Sequence, residues 1–397
     1  MKALVFERDV PRFAAAKVLA KLAPSRAHRT GPLSLDEHHP EPTAPGANWV
    51  RLRPRLAGIC GSDLATVQGT SSRYFEPIVS FPFVPGHEVV ADAPDGRRVV
   101  LEPVLGCVAR AITPMCTSCA NGDLGRCERI TFGDLHPGLQ TGFCCDTGGG
   151  WSTAMIAHES QLHTVPDELT DDDAVMVEPF ACAVHAALSP GLLGGASGGA
   201  IAVVIGAGTI GALTTRAIMT LNPVSHLIVA ARHLDQVSLA RSFGATTVVD
   251  PSALARAVRR TTGTMAIGDG DIERLTGGAD VVFDCVGSSE SIGQALSVVR
   301  PGGRIVLVGM PATVSIDLTP LWHREIALIG AYAYGVEPAL GGRRTFDIAM
   351  EFAPGLGRLV SATYPLHDHA RAFDHALTAG RRGATKICFD LRKEKQR

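Results

Sequence analysis

The sequence predicts an α/β protein of two domains, an irregular β-rich half and a doubly wound parallel-sheet half. Three observations carry this. From residue 200 onward, continuous apolar runs alternate with helix-like stretches, as parallel strands and their crossover helices do. The first of those runs leads directly into Gly206-Ala207-Gly208-Thr209-Ile210-Gly211. Before about residue 190, by contrast, short β-type runs are cut repeatedly by Pro and Gly, the texture of an antiparallel sheet or barrel.

The elements follow in order. Residues 11–30 set Phe13, Ala16, Val18, Leu19 and Leu22 among Lys17 and Lys21, a helix-like rhythm that suits a surface helix or flap. Residues 49–56 alternate as a half-buried strand, and 97–101 form another after the Asp95-Gly96 turn. A glycine-rich junction at 190–197 precedes strands at 200–205, 226–230 and 246–249, with helices to about 221 and over 234–243. Strands at 281–284 and 304–308 complete the theme. The alternation stops near 337, where a helix at 370–379 and a strand at 386–389 return the chain to its first domain. The expected domains are therefore 1–190 with 337–397, and 191–336.

Composition narrows the function classes. Lys plus Arg is 37 against 39 for Asp plus Glu, a net charge of −2, which argues against a nucleic-acid footprint. The longest apolar run, 200–213, is broken by three glycines and is too short for a membrane span. The opening residues meet charge before a signal-peptide core forms, so a cytoplasmic protein is expected. Ten cysteines in 397 residues are too dilute for a disulfide scaffold and must be read by spacing.

The G-x-G-x-x-G loop stands where a dinucleotide pyrophosphate would rest on a helix N-terminus. The next strand ends at Ala231-Arg232, where an NAD enzyme would carry an acid for the ribose. Ala231 removes that carboxylate and Arg232 offers a planar fork to a 2′-phosphate, so NADP(H) is favoured over NAD(H). Cys116, Cys119 and Cys127, with Cys107 as the fourth candidate, have the clustering of a structural zinc site. A thiol, an imidazole and a carboxylate for a second, open zinc site are spread along the chain as Cys60, His87 and Glu178.

These motifs in this order resemble the zinc-dependent medium-chain alcohol dehydrogenases across nearly the whole chain. The matching segments are Gly58-Ile59-Cys60-Gly61-Ser62-Asp63, Gly86-His87-Glu88, the cysteine lobe, Gly206 to Gly211, and Arg300-Pro301-Gly302-Gly303-Arg304. The resemblance implies a GroES-like catalytic domain and a Rossmann cofactor domain. It implies Cys60, His87 and Glu178 as catalytic zinc ligands, with Glu88 a displaceable fourth ligand or supporting carboxylate. Glu178 in place of a cysteine is similar to the polyol, glucose and threonine dehydrogenase branch. Cofactor contacts are implied at Gly206, Gly208, Thr209, Ile210, Gly211, Ala231, Arg232, Val286, Gly287, Val308 and Gly309. Cys182 is implied near the nicotinamide, and a homodimer or homotetramer is implied.

The chain also departs from that family. Its usual lobe spacing would point to Thr113, so Cys107 must return through a longer loop. The proton-relay histidine position is Ala65. Residues 11–30 have no counterpart in shorter members.

The expected chemistry is hydride transfer between a nicotinamide cofactor and a small alcohol, polyol or carbonyl, with Ser62 Oγ taking the alcohol proton. An alternative is an NADPH-dependent reductase of a biosynthetic aldehyde, ketone or imine. A different class, a non-catalytic NADPH-binding or zinc-sensing protein, would have no need of Cys60, His87 and Glu178. Tyr74, Phe75 and Trp151 are candidates for the substrate wall, while Cys144-Cys145 stay unassigned.

Overall fold

Apolar strands, the central ones buried on both faces, build the second half of the molecule. In the computed structural model, which describes residues 1–189, 199–268 and 274–394, six strands lie side by side there. Their order is Thr247–Val249, His226–Ala230, Ile201–Ile205, Ala279–Asp284, Val299–Leu307 and Ala327–Gly330. All five pairings are parallel. Numbered along the chain, this is the 3-2-1-4-5-6 order of a doubly wound dinucleotide fold. Val203, Ile205, Ile228, Val282 and Ile305 fill its core with Ile292 and Leu296 from the helix Ser289–Val298. The expected glycine-rich junction at 190–197 lies outside the described residues.

The chain divides into two units. One comprises Met1–Glu178, Tyr334–Val336 and Phe346–Arg397; the other comprises Pro179–Ala333 and Glu337–Thr345. The first unit holds a seven-stranded sheet centred on the long strand Trp49–Gly58. That strand pairs antiparallel with Val89–Asp92 on one side and with Lys386–Asp390 on the other. Leu52 from it packs with Val89, Ala91, Val99, Leu101 and Met155. Each of the larger side chains among these contributes roughly 1.5–3 kcal/mol of burial.

The segment read as a flap forms two helices, Val10–Leu22 and Pro24–Thr30. Asp9 starts the first by accepting from the Arg12 N–H, with Pro11 in the opening turn where no donor is needed. Among the described residues no helix is long and apolar enough to cross a membrane.

Candidate functional site

In the first unit, a strand end and a helix start deliver the candidate catalytic cysteine. Strand Trp49–Gly58 runs into Cys60, which caps the helix Gly61–Val67. Asp63, in the first turn, accepts from the Cys60 N–H at 3.0 Å and is itself buried. Its other oxygen lies 3.3 Å from His87 Nδ1. That contact fixes the imidazole and leaves Nε2 as the nitrogen available to a metal. Cys60, His87 and Glu88 each place a ligand-type atom within 4.8 Å of the others. Burial works against an imidazolium here, but Asp63 and the Cys60 thiol outweigh it and hold His87 well above its ordinary value.

Glu88 has a partner of its own. Lys386, on the strand Lys386–Asp390, forms a buried ion pair with it and donates to the Ile59 carbonyl at 3.2 Å. Gly58 makes room for the pair: a Cβ there would run into Glu88 Oε2 and come within 2.8 Å of Lys386 Cε. Burial alone would lower the Lys386 ammonium, yet Glu88, Cys60 and Cys388 together raise it. Glu88 is thus ion-paired at the edge of the cluster, in the manner of a supporting carboxylate.

Glu178 falls outside the 4.8 Å group but within its electrostatic reach. Burial pushes its carboxyl up to about 7, with Glu88 adding to the rise and His87 and Lys386 opposing it. Tyr334 donates to its Oε1 at 3.1 Å. Ser62 is half-buried in the first turn after Cys60. Trp151 does not form a substrate wall. Its side chain is wholly buried against Phe373 and Phe389, and its Nε1–H donates to the Gly58 carbonyl, because a large amphipathic ring is best used filling the core. Tyr74 is exposed.

The four lobe cysteines meet. Cys107, Cys116, Cys119 and Cys127 are all buried, with their sulfurs within 4.8 Å of one another. Cys107 reaches the group through its longer loop, its sulfur accepting from the Cys116 N–H at 3.4 Å. Burial raises Cys127 to about 11 and raises Cys119 further. At Cys116 burial is outweighed by N–H donors from Cys119 and Glu128 and by the neighbouring thiols, which bring it down to about 7. Four thiols that cannot ionise together unaided fit a divalent cation, which supplies the missing charge.

In the second unit the Gly206–Gly211 loop leads into the helix Thr209–Leu221. Gly206 has φ +89°, and a Cβ on Gly211 would collide with the Gly206 carbonyl. The turn is therefore tight enough for a pyrophosphate to approach the backbone. Ala231 is buried, while Arg232 is exposed and pairs at 3.6 Å with exposed Glu290. Gly287 has φ +76°, and Val308 and Gly309 both donate N–H groups to the Asp284 carbonyl. Cys182 is half-buried on the helix Val177–Ala187.

The alcohol dehydrogenase GroES-like domain matches residues 46–167, and the zinc-binding dehydrogenase domain matches residues 209–353. The chain belongs to the zinc-binding medium-chain dehydrogenases. It is an oxidoreductase of the alcohol dehydrogenase type, similar to polyol dehydrogenases. A putative D-xylulose reductase of Agrobacterium fabrum is 29% identical over 84% of this chain and 88% of its own. An L-idonate 5-dehydrogenase of Vitis vinifera is 26% identical over 86% and 88%. Among solved structures, the L-idonate 5-dehydrogenase of Escherichia coli superposes with TM-score 0.64 at 24% identity, covering 90% of this chain and 93% of that one. A putative zinc-binding dehydrogenase from Sinorhizobium meliloti, bound to NADP, gives 0.65 at 22%, covering 90% and 95%.

Sequence reasoning missed three residues of this dehydrogenase's site. Asp63 stood inside the segment Gly58 to Asp63, but only the fold brings its second partner, His87, to it. Lys386 carried a signal, a lysine at the head of the buried strand Lys386–Asp390, that goes unread without the strand's neighbours. Tyr334 carried none.

Proposed function

We propose that this dehydrogenase oxidises a small polyol or secondary alcohol to the carbonyl with NADP as hydride acceptor. The observation that carries the reading is the cluster of half-buried Cys60 with buried His87 and Glu88, and Glu178 in electrostatic contact. Residues 1–190 with 337–397 serve the metal, and 191–336 the nucleotide. Cys60, His87 and Glu178 hold the catalytic zinc, which when bound supplies a Lewis acid for the substrate oxygen. Asp63 keeps His87 in the tautomer that presents Nε2. Lys386 pairs with Glu88 and fixes that carboxylate beside the ligand set. Ser62 Oγ accepts the hydroxyl proton, and Ala65 offers no ring to carry it further, so it leaves through solvent.

On the nucleotide side, Gly206, Gly208, Thr209, Ile210 and Gly211 receive the pyrophosphate, with Val286, Gly287, Val308 and Gly309 flanking the cofactor. Arg232 beside Ala231 selects the 2′-phosphate, its guanidinium meeting the phosphate where no carboxylate stands to repel it. The polyol class is supported by relatives named for idonate, xylulose and sorbitol. Cys107, Cys116, Cys119 and Cys127 hold the second, structural zinc. The assembly is a homodimer or homotetramer.

The test is a dehydrogenase screen over polyols, secondary alcohols and sugars with both cofactors. It is run alongside Cys60→Ser, and elemental analysis counts the metal. NADP-dependent turnover lost in the variant, with NADPH binding retained and two zinc per chain, is expected. Turnover that survives Cys60→Ser overturns the site.

A further inference from the structure

A loop of the first unit gathers ligand-type atoms that neither zinc position uses. His136, Cys145 and Asp146 each present one donor, all within 4.8 Å of one another. His136 Nδ1 is 2.9 Å from Asp146 Oδ1, and the Cys145 thiol donates to that same oxygen at 3.6 Å. We infer that this cluster is a third metal site, an exchangeable Zn²⁺ position held by His136 Nδ1, Cys145 Sγ and an Asp146 carboxylate oxygen, with water completing the coordination.

The donors are held in place from outside the cluster. Arg110, wholly buried, donates to the carbonyls of Phe132, Leu135, His136 and Gly138, at 2.7 Å for Gly138, and so pins the backbone that carries the imidazole. The Cys145 N–H donates to Ser80 Oγ at 2.9 Å, and within the cluster the His136 N–H donates to Asp146 Oδ2 at 2.7 Å. Gly138 is pressed against Cys144, where a Cβ would come within 2.5 Å of the Cys144 Cβ. A cation arriving here has little backbone to order, which favours binding.

The chemistry suits zinc. One imidazole nitrogen, one thiolate and one carboxylate make a borderline donor set. When Cys145 gives up its proton to solvent, the three ligands carry a charge of −2, matching a divalent ion. Exchange follows from two further facts. The His136 side chain is 69% exposed, so water and chelators reach the ion. The charge of Arg110 also bears on Asp146 and opposes a second cation, so the site holds zinc less tightly than the four-cysteine lobe. Cys144, buried with its thiol turned to Asp146 Oδ2 and the His136 carbonyl, stays a neighbour.

The experiment titrates Zn²⁺ into the full chain after dialysis against a weak chelator that leaves tightly held zinc in place. Bound metal is counted by elemental analysis, with Co²⁺ as a parallel probe of thiolate ligation. One additional equivalent per chain, showing a cobalt–thiolate absorption, is expected. His136→Ala and Cys145→Ser should each weaken it by more than the roughly 10- to 100-fold that even outer-shell changes produce. Cys60→Ser should lose a tightly held equivalent and keep the additional one, so failure of the catalytic reading and failure of this one are distinguishable. No additional equivalent in the unmodified chain, or one that survives both loop variants, overturns the site. His136 is exposed, so His136→Ala decides the matter if Cys145→Ser does not fold.

Discussion

Lys386 is 2% exposed at its side chain and Glu88 1%, so each is the other's main source of compensating charge. Replacing one partner of such a pair strands the other in a low-dielectric interior. Lys386→Met should therefore lower stability by about 3–5 kcal/mol, read from denaturant unfolding. Adding Glu88→Gln should return most of that loss, and a double variant no better than the single would dissociate the effect from charge. Arg232→Ala tests a different residue. One lost charge-assisted contact of roughly 1.5–3 kcal/mol should shift the NADPH-to-NADH preference about 10- to 100-fold toward NADH. An unchanged ratio would sink the phosphate assignment. At this scale the sequence was legible where chemistry follows residue type and motif, as at Cys60, His87 and the lobe cysteines. It was unread where the partner lies far along the chain, as for Lys386 and Tyr334.

The helix Pro24–Thr30 carries His28, which is buried against the helix His369–Leu377. Burial lowers its pKa, with Arg29 and His369 opposing protonation and Asp374, 3.6 Å away, favouring it; Phe373 closes the ring's side. Because the folded value lies below the unfolded one, the unfolded chain binds more protons in that window. Stability is then full above the ordinary histidine range and falls as pH drops through it. His28→Leu should flatten this slope in thermal unfolding measured across mildly acidic pH; an identical slope would place the titration elsewhere. Asp171 supports another set of elements. It receives Arg55 and Arg392 at 3.0 Å and Arg98 at 3.2 Å. Asp171→Ala should lower the denaturation midpoint and loosen the strand carrying Arg98, seen as faster amide exchange there. The strands of residues 201–307 could be placed from sequence because sheets covered on both faces read as unbroken apolar runs. The lobe could not be traced, since its path is set by four sulfurs more than by periodicity.

Taken whole, the molecule joins one unit with a large apolar core to another that includes a cluster built from four cysteines, Ile112, Leu124 and Ile130. So small a cluster needs its metal. Stripping tightly held zinc should abolish amide protection around residues 105–135 while leaving protection in the six-stranded sheet, and NADPH binding, unchanged. Two units and their fold classes were readable from texture alone, because the switch from punctuated to unbroken apolar runs is coarse. The chain's return after residue 345 has a temporal consequence. The contact between Lys386 and the Ile59 carbonyl joins residues 327 apart along the chain. During synthesis, strand Trp49–Gly58 and Glu88 emerge early, yet the strand that completes their sheet and neutralises that carboxylate arrives only after the whole nucleotide-binding sheet has been made. The nucleotide half can thus mature on the ribosome, while the metal half waits with an open sheet edge for its last strand.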